Sequence, residues 1–170
     1  MRPYRFILYY IVLSFSLKGQ TNLVSNYSFE QYNSCPNNTV SPISNVIDWY
    51  NVISNGTPDY YNSCVISIHT FGIPINSVGS QYANSGDAYV GIRVYAGPNY
   101  SGQLEYVSNS LKTSLISNTH YCVQYFVSRA DTIGDYGISN FGALFTNTLV
   151  NSSDPYNIQM TPQVKNQVGN

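Results

Sequence analysis

Apolar and polar residues alternate with a period of two along much of this chain. In "NLVSNYSFEQY" (22–32), Leu23, Ser25, Tyr27 and Phe29 alternate with Val24, Asn26, Ser28 and Glu30. "DAYVGIRVY" (87–95) sets Ala88, Val90, Ile92 and Val94 on one face and Tyr89, Gly91, Arg93 and Tyr95 on the other. "HYCVQYFVS" (120–128) sets Tyr121, Val123, Tyr125 and Val127 opposite Cys122, Gln124 and Phe126. Successive side chains of a strand point to opposite faces, so this pattern predicts half-buried strands. "GQLEYVS" (102–108) and "GISNFGALFT" (137–146) predict shorter or bent strands, the latter with two interior glycines. Turn clusters such as "SCPNNTVSP", "ISNGTP", "ANSGD" and "NSSDP" separate these segments. No stretch after residue 20 sustains a 3.6-residue apolar period over three turns. Short strands at this spacing predict an all-β, antiparallel jelly-roll β-sandwich.

Two segments read differently. Residues 1–20 place Arg2 and Arg5 before an apolar run from Phe6 to Leu17, then Lys18-Gly19-Gln20. That is the order of a secretory signal peptide, and the run is short for a permanent anchor, which needs about 20 apolar residues. Residues 21–170 then form one domain. The final "YNIQMTPQVKNQVGN" shows no closing strand, and the module is expected to be truncated at its C-terminal end.

Composition narrows the function classes. Charged residues make up 9% and the formal net charge is −1, so no basic field is available for a phosphate backbone and nucleic-acid binding is excluded. Seventeen tyrosines against one tryptophan, with abundant Asn and Ser, suit an exported protein whose surface meets neutral, hydroxyl-rich ligands. Cys35, Cys64 and Cys122 lack CxxC spacing, and His69 and His120 are isolated, which argues against zinc. An odd cysteine count in an exported chain implies one disulfide and a leftover thiol, or a partner outside the chain.

"NLVSNYSFEQYNSCP", "GTPDYYNSC", "YANSGDAYVGI" and "YCVQYFVSRAD…YGISNFGALFT" occur in that order. Together they resemble the N-terminal module of exported cell-surface proteins of gliding-type Gram-negative bacteria, from about residue 22 to the end. Ser25 and Tyr27 depart from that pattern, which commonly has prolines there. The resemblance implies a galactose-binding-like jelly roll, secreted or associated with the cell surface and outer membrane. It also implies a following outer-membrane-protein-A-like domain or type IX sorting domain. It further implies a structural Ca²⁺ near the first strand, for which Glu30 and Asp87 occupy the matching places.

Catalysis needs a nucleophile with a base, or a carboxylate pair, and no such motif stands out among the acids after residue 20, so the chain is not read as an enzyme. Sugar binding uses aromatic faces with amides, Arg and carboxylates around them. Tyr89, Arg93 and Tyr95 on one strand face, with Tyr100 and Glu105 in the next hairpin, form that candidate cluster, with Tyr61 as a further contact. Each tyrosine taken singly is as well explained by cross-strand packing. Trp49 is expected in the core. Tyr60 and Tyr61 are adjacent in an extended segment, so only one of them is expected to be buried. Cys35 and Cys64 both follow Asn-Ser in turn-rich loops and are the favoured disulfide, which leaves Cys122 as a buried thiol. The expected function is non-catalytic binding of carbohydrate or another envelope polymer. The alternative is a structural or adhesive spacer that positions a C-terminal envelope-anchoring domain.

Overall fold

A computed structural model describes residues 20–37, 39, 41–65, 70–95, 104–132, 141–150, 158 and 160–166. The predicted signal peptide (residues 1–19 of it), Tyr100 and His69 lie outside the described residues. Among the described residues there is no α-helix. There is one 3-10 turn, Ile43–Asn45, and eight short strands. They are β1 (Trp49–Asn51), β2 (Asp59–Asn62), β3 (Ile75–Asn76), β4 (Gly79–Ser80), β5 (Ala88–Gly91), β6 (Val107–Asn109), β7 (Gly142–Ala143) and β8 (Val164–Lys165). They pair antiparallel as β1–β6, β2–β5, β3–β4 and β7–β8, which makes an all-β arrangement of two-stranded sheets.

β2 is the centre of the packing. Thr57 precedes Pro58, which biases it away from the helical region and starts an extended run. In register, Tyr60 opposes Val90 and Tyr61 opposes Tyr89 across β5. On its other edge, Tyr60 N donates to Ser41 O at 2.9 Å and Ile43 N donates to Pro58 O at 3.1 Å. Residues 41–43 therefore cover the strand that β5 does not. One face of β2 meets the core of Ile43, Val46, Tyr60 and Ala88, with Phe29, Trp49, Val90 and Val107 packed against it. The other face carries an aromatic layer in which Tyr61 stacks on Tyr89 at 5.0 Å and lies 5.7 Å from Phe71. Both tyrosines are accordingly buried, Tyr60 at 0% and Tyr61 at 2% exposure. The expectation that only one of the pair would be buried is corrected: opposite orientation does not expose a side chain when both faces of the strand are covered.

The first segment does not form the predicted strand. Asn26 and Phe29 adopt positive φ (44° and 64°), and Phe29 N donates to Asn26 O at 3.0 Å. The Asn26 side chain replaces a ladder: its Nδ2 donates to Gln31 O and Ile47 O, each at 2.8 Å, and its Oδ1 accepts from Gln31 N. A short amide side chain that bonds the local backbone competes with sheet pairing and tolerates left-handed φ. Only isolated bridges remain, Val24 to Leu111 and Tyr32 to Val46. Trp49 packs on Phe29 at 4.7 Å and donates Nε1–H to Asn26 O at 2.9 Å, in keeping with its expected core position. Ser25 donates its hydroxyl to Asp48 Oδ2 at 2.5 Å, so the position that departs from proline serves as a tether.

Other boundaries also shift. β5 covers only the first part of 87–95, and the strand expected at 102–108 is centred on Val107–Asn109. β1 and β8 were not expected; β8 gives the C-terminal segment a strand paired with β7. Residues 120–128 belong to no ladder among the described residues. Cys122 is exposed there, which corrects its expected burial: without a sheet partner the segment has no covered face. Cys35 and Cys64 form the expected disulfide, with Cα atoms 6.1 Å apart. No helix among the described residues is long and apolar enough to cross a membrane.

Candidate functional site

The site begins where β5 ends. β5 presents Tyr89 and Gly91 to the same side as Tyr61, and Gly91 has a packing reason to lack a side chain. A Cβ there would lie 2.9 Å from Tyr61 Cε2, so the Tyr61 ring occupies the space a larger residue would fill. The Tyr89 hydroxyl accepts from Asn76 Nδ2 at 2.6 Å, which ties the aromatic layer to the β3–β4 hairpin. Tyr61 and Tyr89, both expected as ligand contacts, are thus building material for this layer, one buried and one half-buried. Burial raises the pKa of both hydroxyls.

Glu105, a third expected contact, is also buried. Its Oε1 accepts from Thr57 N at 3.1 Å and from Thr57 Oγ1 at 3.2 Å, and its Oε2 accepts from Arg93 N at 2.7 Å. Glu105 N in turn donates to Arg93 O at 2.8 Å. One carboxylate therefore clamps the chain before β2 to the chain after β5. Asp59, on β2 opposite Gly91, lies close enough to feel this charge. Burial pushes the Asp59 carboxyl up to about 6, the Glu105 charge pushes the same way, and the Arg93 guanidinium opposes them. The Asp59–Glu105–Arg93 constellation was not found by sequence reasoning. Asp59 and Glu105 are 46 residues apart and carry no local motif, so only the fold brings them together.

Arg93 and Tyr95 are exposed. Of the five expected ligand residues that are described, these two are exposed. They sit on backbone held by the Glu105 clamp and by the rigid aromatic layer beneath. Glu30 and Asp87 do meet: Glu30 Oε1 accepts from Asp87 N at 2.9 Å. Gly86 between them has φ +70, and a Cβ there would lie 2.6 Å from Glu30 Cδ, so the carboxylate rests directly on the turn. Two carboxylates are the acidic donors that meet here. Calcium takes six to eight oxygens, one Glu30 oxygen is engaged by main chain, and no group of three His, Cys, Asp or Glu that could hold a metal occurs among the described residues.

A shallow concavity of about 550 Å³ lies elsewhere, lined by Phe145, Leu149 and Met160 among others, and contains none of the expected ligand residues. Comparison with family models, curated proteins and solved structures finds no match to this chain.

Proposed function

We propose that this chain is an exported, non-catalytic binding module of the jelly-roll sandwich type that holds a neutral glycan or similar envelope polymer. The observation that carries this reading is the exposed Arg93 and Tyr95 pair just past β5, after half-buried residues and on main chain that Glu105 holds. A guanidinium donates to sugar hydroxyls in a fixed fork, and a phenol ring offers a flat face to sugar C–H groups. A pre-organised mount reduces the ordering cost of binding, which weak surface recognition needs. Glu105 argues against its own use in acid–base chemistry at this place. Glu105 has both oxygens engaged by Thr57 and Arg93, so it is a clamp rather than a reactant.

A polysaccharide array probed with the purified chain tests this. Arg93→Ala and Tyr95→Ala are each expected to weaken retention about tenfold, the scale of one lost hydrogen-bonding or stacking contact. Binding that both variants leave unchanged would remove the proposed surface. The alternative, a spacer that positions an envelope-anchoring domain, is favoured by the inward use of Tyr61, Tyr89 and Glu105, and predicts no retention of any polysaccharide.

A further inference from the structure

Residues 120–128, "HYCVQYFVS", carry a predicted strand pattern and yet join no ladder among the described residues. The segment is held out in place by its ends. Tyr121 Oη accepts from Ile116 N at 2.9 Å, the Tyr125 ring lies 5.3 Å from Phe141, and Ser128 Oγ donates to Gln81 Oε1 at 2.7 Å. Beyond it, Asp131 Oδ2 accepts from Ser80 N at 2.8 Å and Thr132 N donates to Val78 O at 3.3 Å. Phe126 (65%) and Val127 (68%) face solvent, and the anchoring Tyr121 and Tyr125 remain 40% and 38% exposed. Exposed strand edges in monomeric proteins are commonly blunted by Lys, Pro or inward charges. None of Lys, Arg, Asp, Glu or Pro occurs in 120–128.

We propose that this segment is a docking strand for a second copy of the chain, paired antiparallel about a two-fold axis at Gln124. The partner follows from the segment's own sequence. A two-fold antiparallel pair must place one residue opposite itself, and centring on Gln124 makes the pattern nearly palindromic. Val123 then opposes Tyr125 and Tyr121 opposes Val127 on one face. Cys122 opposes Phe126 on the other, and His120 opposes Ser128 at the ends. These are aromatic to β-branched and sulfur to aromatic pairs, the favourable cross-strand combinations, and they occur twice by symmetry. Moving the centre to Cys122 sets Phe126 against Asn118 and Val127 against Ser117, which loses the match.

The available area suits the same occupant. At about 200 Å² per aromatic side chain, the exposed fractions leave roughly 300 Å² of aromatic surface on each copy. The valines, Cys122 and nine residues of main chain bring the pair toward the ~1,200 Å² low end of specific interfaces. That size fits a reversible dimer that dissociates on dilution. Pairing requires no covalent bond, and Cys122 does not face its own copy in this register.

Sedimentation of the full chain carrying Cys122→Ser, without reductant so that Cys35–Cys64 stays closed, is expected over a concentration series to show a monomer–dimer equilibrium. Phe126→Lys and Val127→Lys, both at exposed positions that folding does not depend on, are expected to leave only monomer. In a Cys122→Ser background, Gln124→Cys is expected to cross-link to itself when oxidised glutathione accepts the two electrons and leaves as two reduced thiols. Ser114→Cys in the same background is expected not to cross-link. A chain that is monomeric at every concentration, a dimer that survives Phe126→Lys, or cross-linking as efficient at position 114 as at 124 would each overturn the proposal.

Discussion

Asp59 carries the sharpest electrostatic consequence of the fold. Its carboxyl ordinarily titrates at 3.8 and is pushed up to about 6 in the folded chain, chiefly by burial and next by Glu105. The folded state therefore holds its proton where the unfolded chain has released it. This group's contribution to stability is complete below pH 4, falls as pH rises from about 4 to 6, and is gone above that. Because Asp59 is partly exposed, the loss is on the order of 1–3 kcal/mol. Asp59→Asn is expected to be more stable than wild type above pH 6 and equal to it near pH 4, read from urea midpoints at the two pH values. A stabilisation that is independent of pH would contradict the assignment. Glu105→Gln keeps the shape of the clamp but loses its charge-assisted bonds, and is expected to cost about 1–3 kcal/mol. Tyr60 shows the same economy in a neutral group. Its hydroxyl donates to Phe29 O at 3.0 Å and accepts from Asn62 Nδ2 at 2.6 Å. Tyr60→Phe would leave that buried amide without an acceptor, so thermal unfolding is expected to fall by several degrees, corresponding to about 1–3 kcal/mol.

At the level of elements, the disulfide and the strand pairs set what can move. Cys35–Cys64 spans 29 residues and ties the loop before the 3-10 turn to the end of β2. In the chain-entropy account a closure of this length is worth about 3–4 kcal/mol. Cys35→Ser with Cys64→Ser is expected to lower the unfolding free energy by that amount, read as a drop in the urea midpoint; an unchanged midpoint would mean that the bridge is incidental. The elements also show what sequence pattern can and cannot reveal. Period-two alternation located β5 because Ala88 and Val90 do face the core. It failed at 22–32 because it does not register an asparagine whose side chain takes over the backbone's hydrogen bonds. It read "TPDYYN" as an extended segment after a turn and not as a central paired strand, because the cover on both tyrosines comes from residues distant in sequence. The disulfide was legible because its cysteines share local context. The Glu105 clamp was not, since its acceptors and donors come from three separated stretches.

For the whole molecule, the described residues combine one well-packed centre around β2 with a largely solvent-facing segment from 112 to 129. The packed centre uses Tyr61 and Tyr89, two of the tyrosines expected as ligand contacts, and it leaves Arg93 and Tyr95 exposed at its margin. The binding reading is therefore narrower than composition suggests. It rests on two side chains on a rigid mount, while Tyr61, Tyr89 and Glu105 provide the rigidity. The exposed segment 120–128 lies on a separate stretch and supports association between copies independently of that surface.

The most direct test is amide chemical-shift mapping of the full chain titrated with an oligosaccharide from whichever polysaccharide the array retains most strongly. The account predicts saturable shifts confined to residues 92–95 and their immediate neighbours, with Tyr60 and Tyr61 unmoved, and their loss in the Arg93→Ala, Tyr95→Ala double variant. Shifts that spare residues 92–95, or no retained polysaccharide at all, would contradict it.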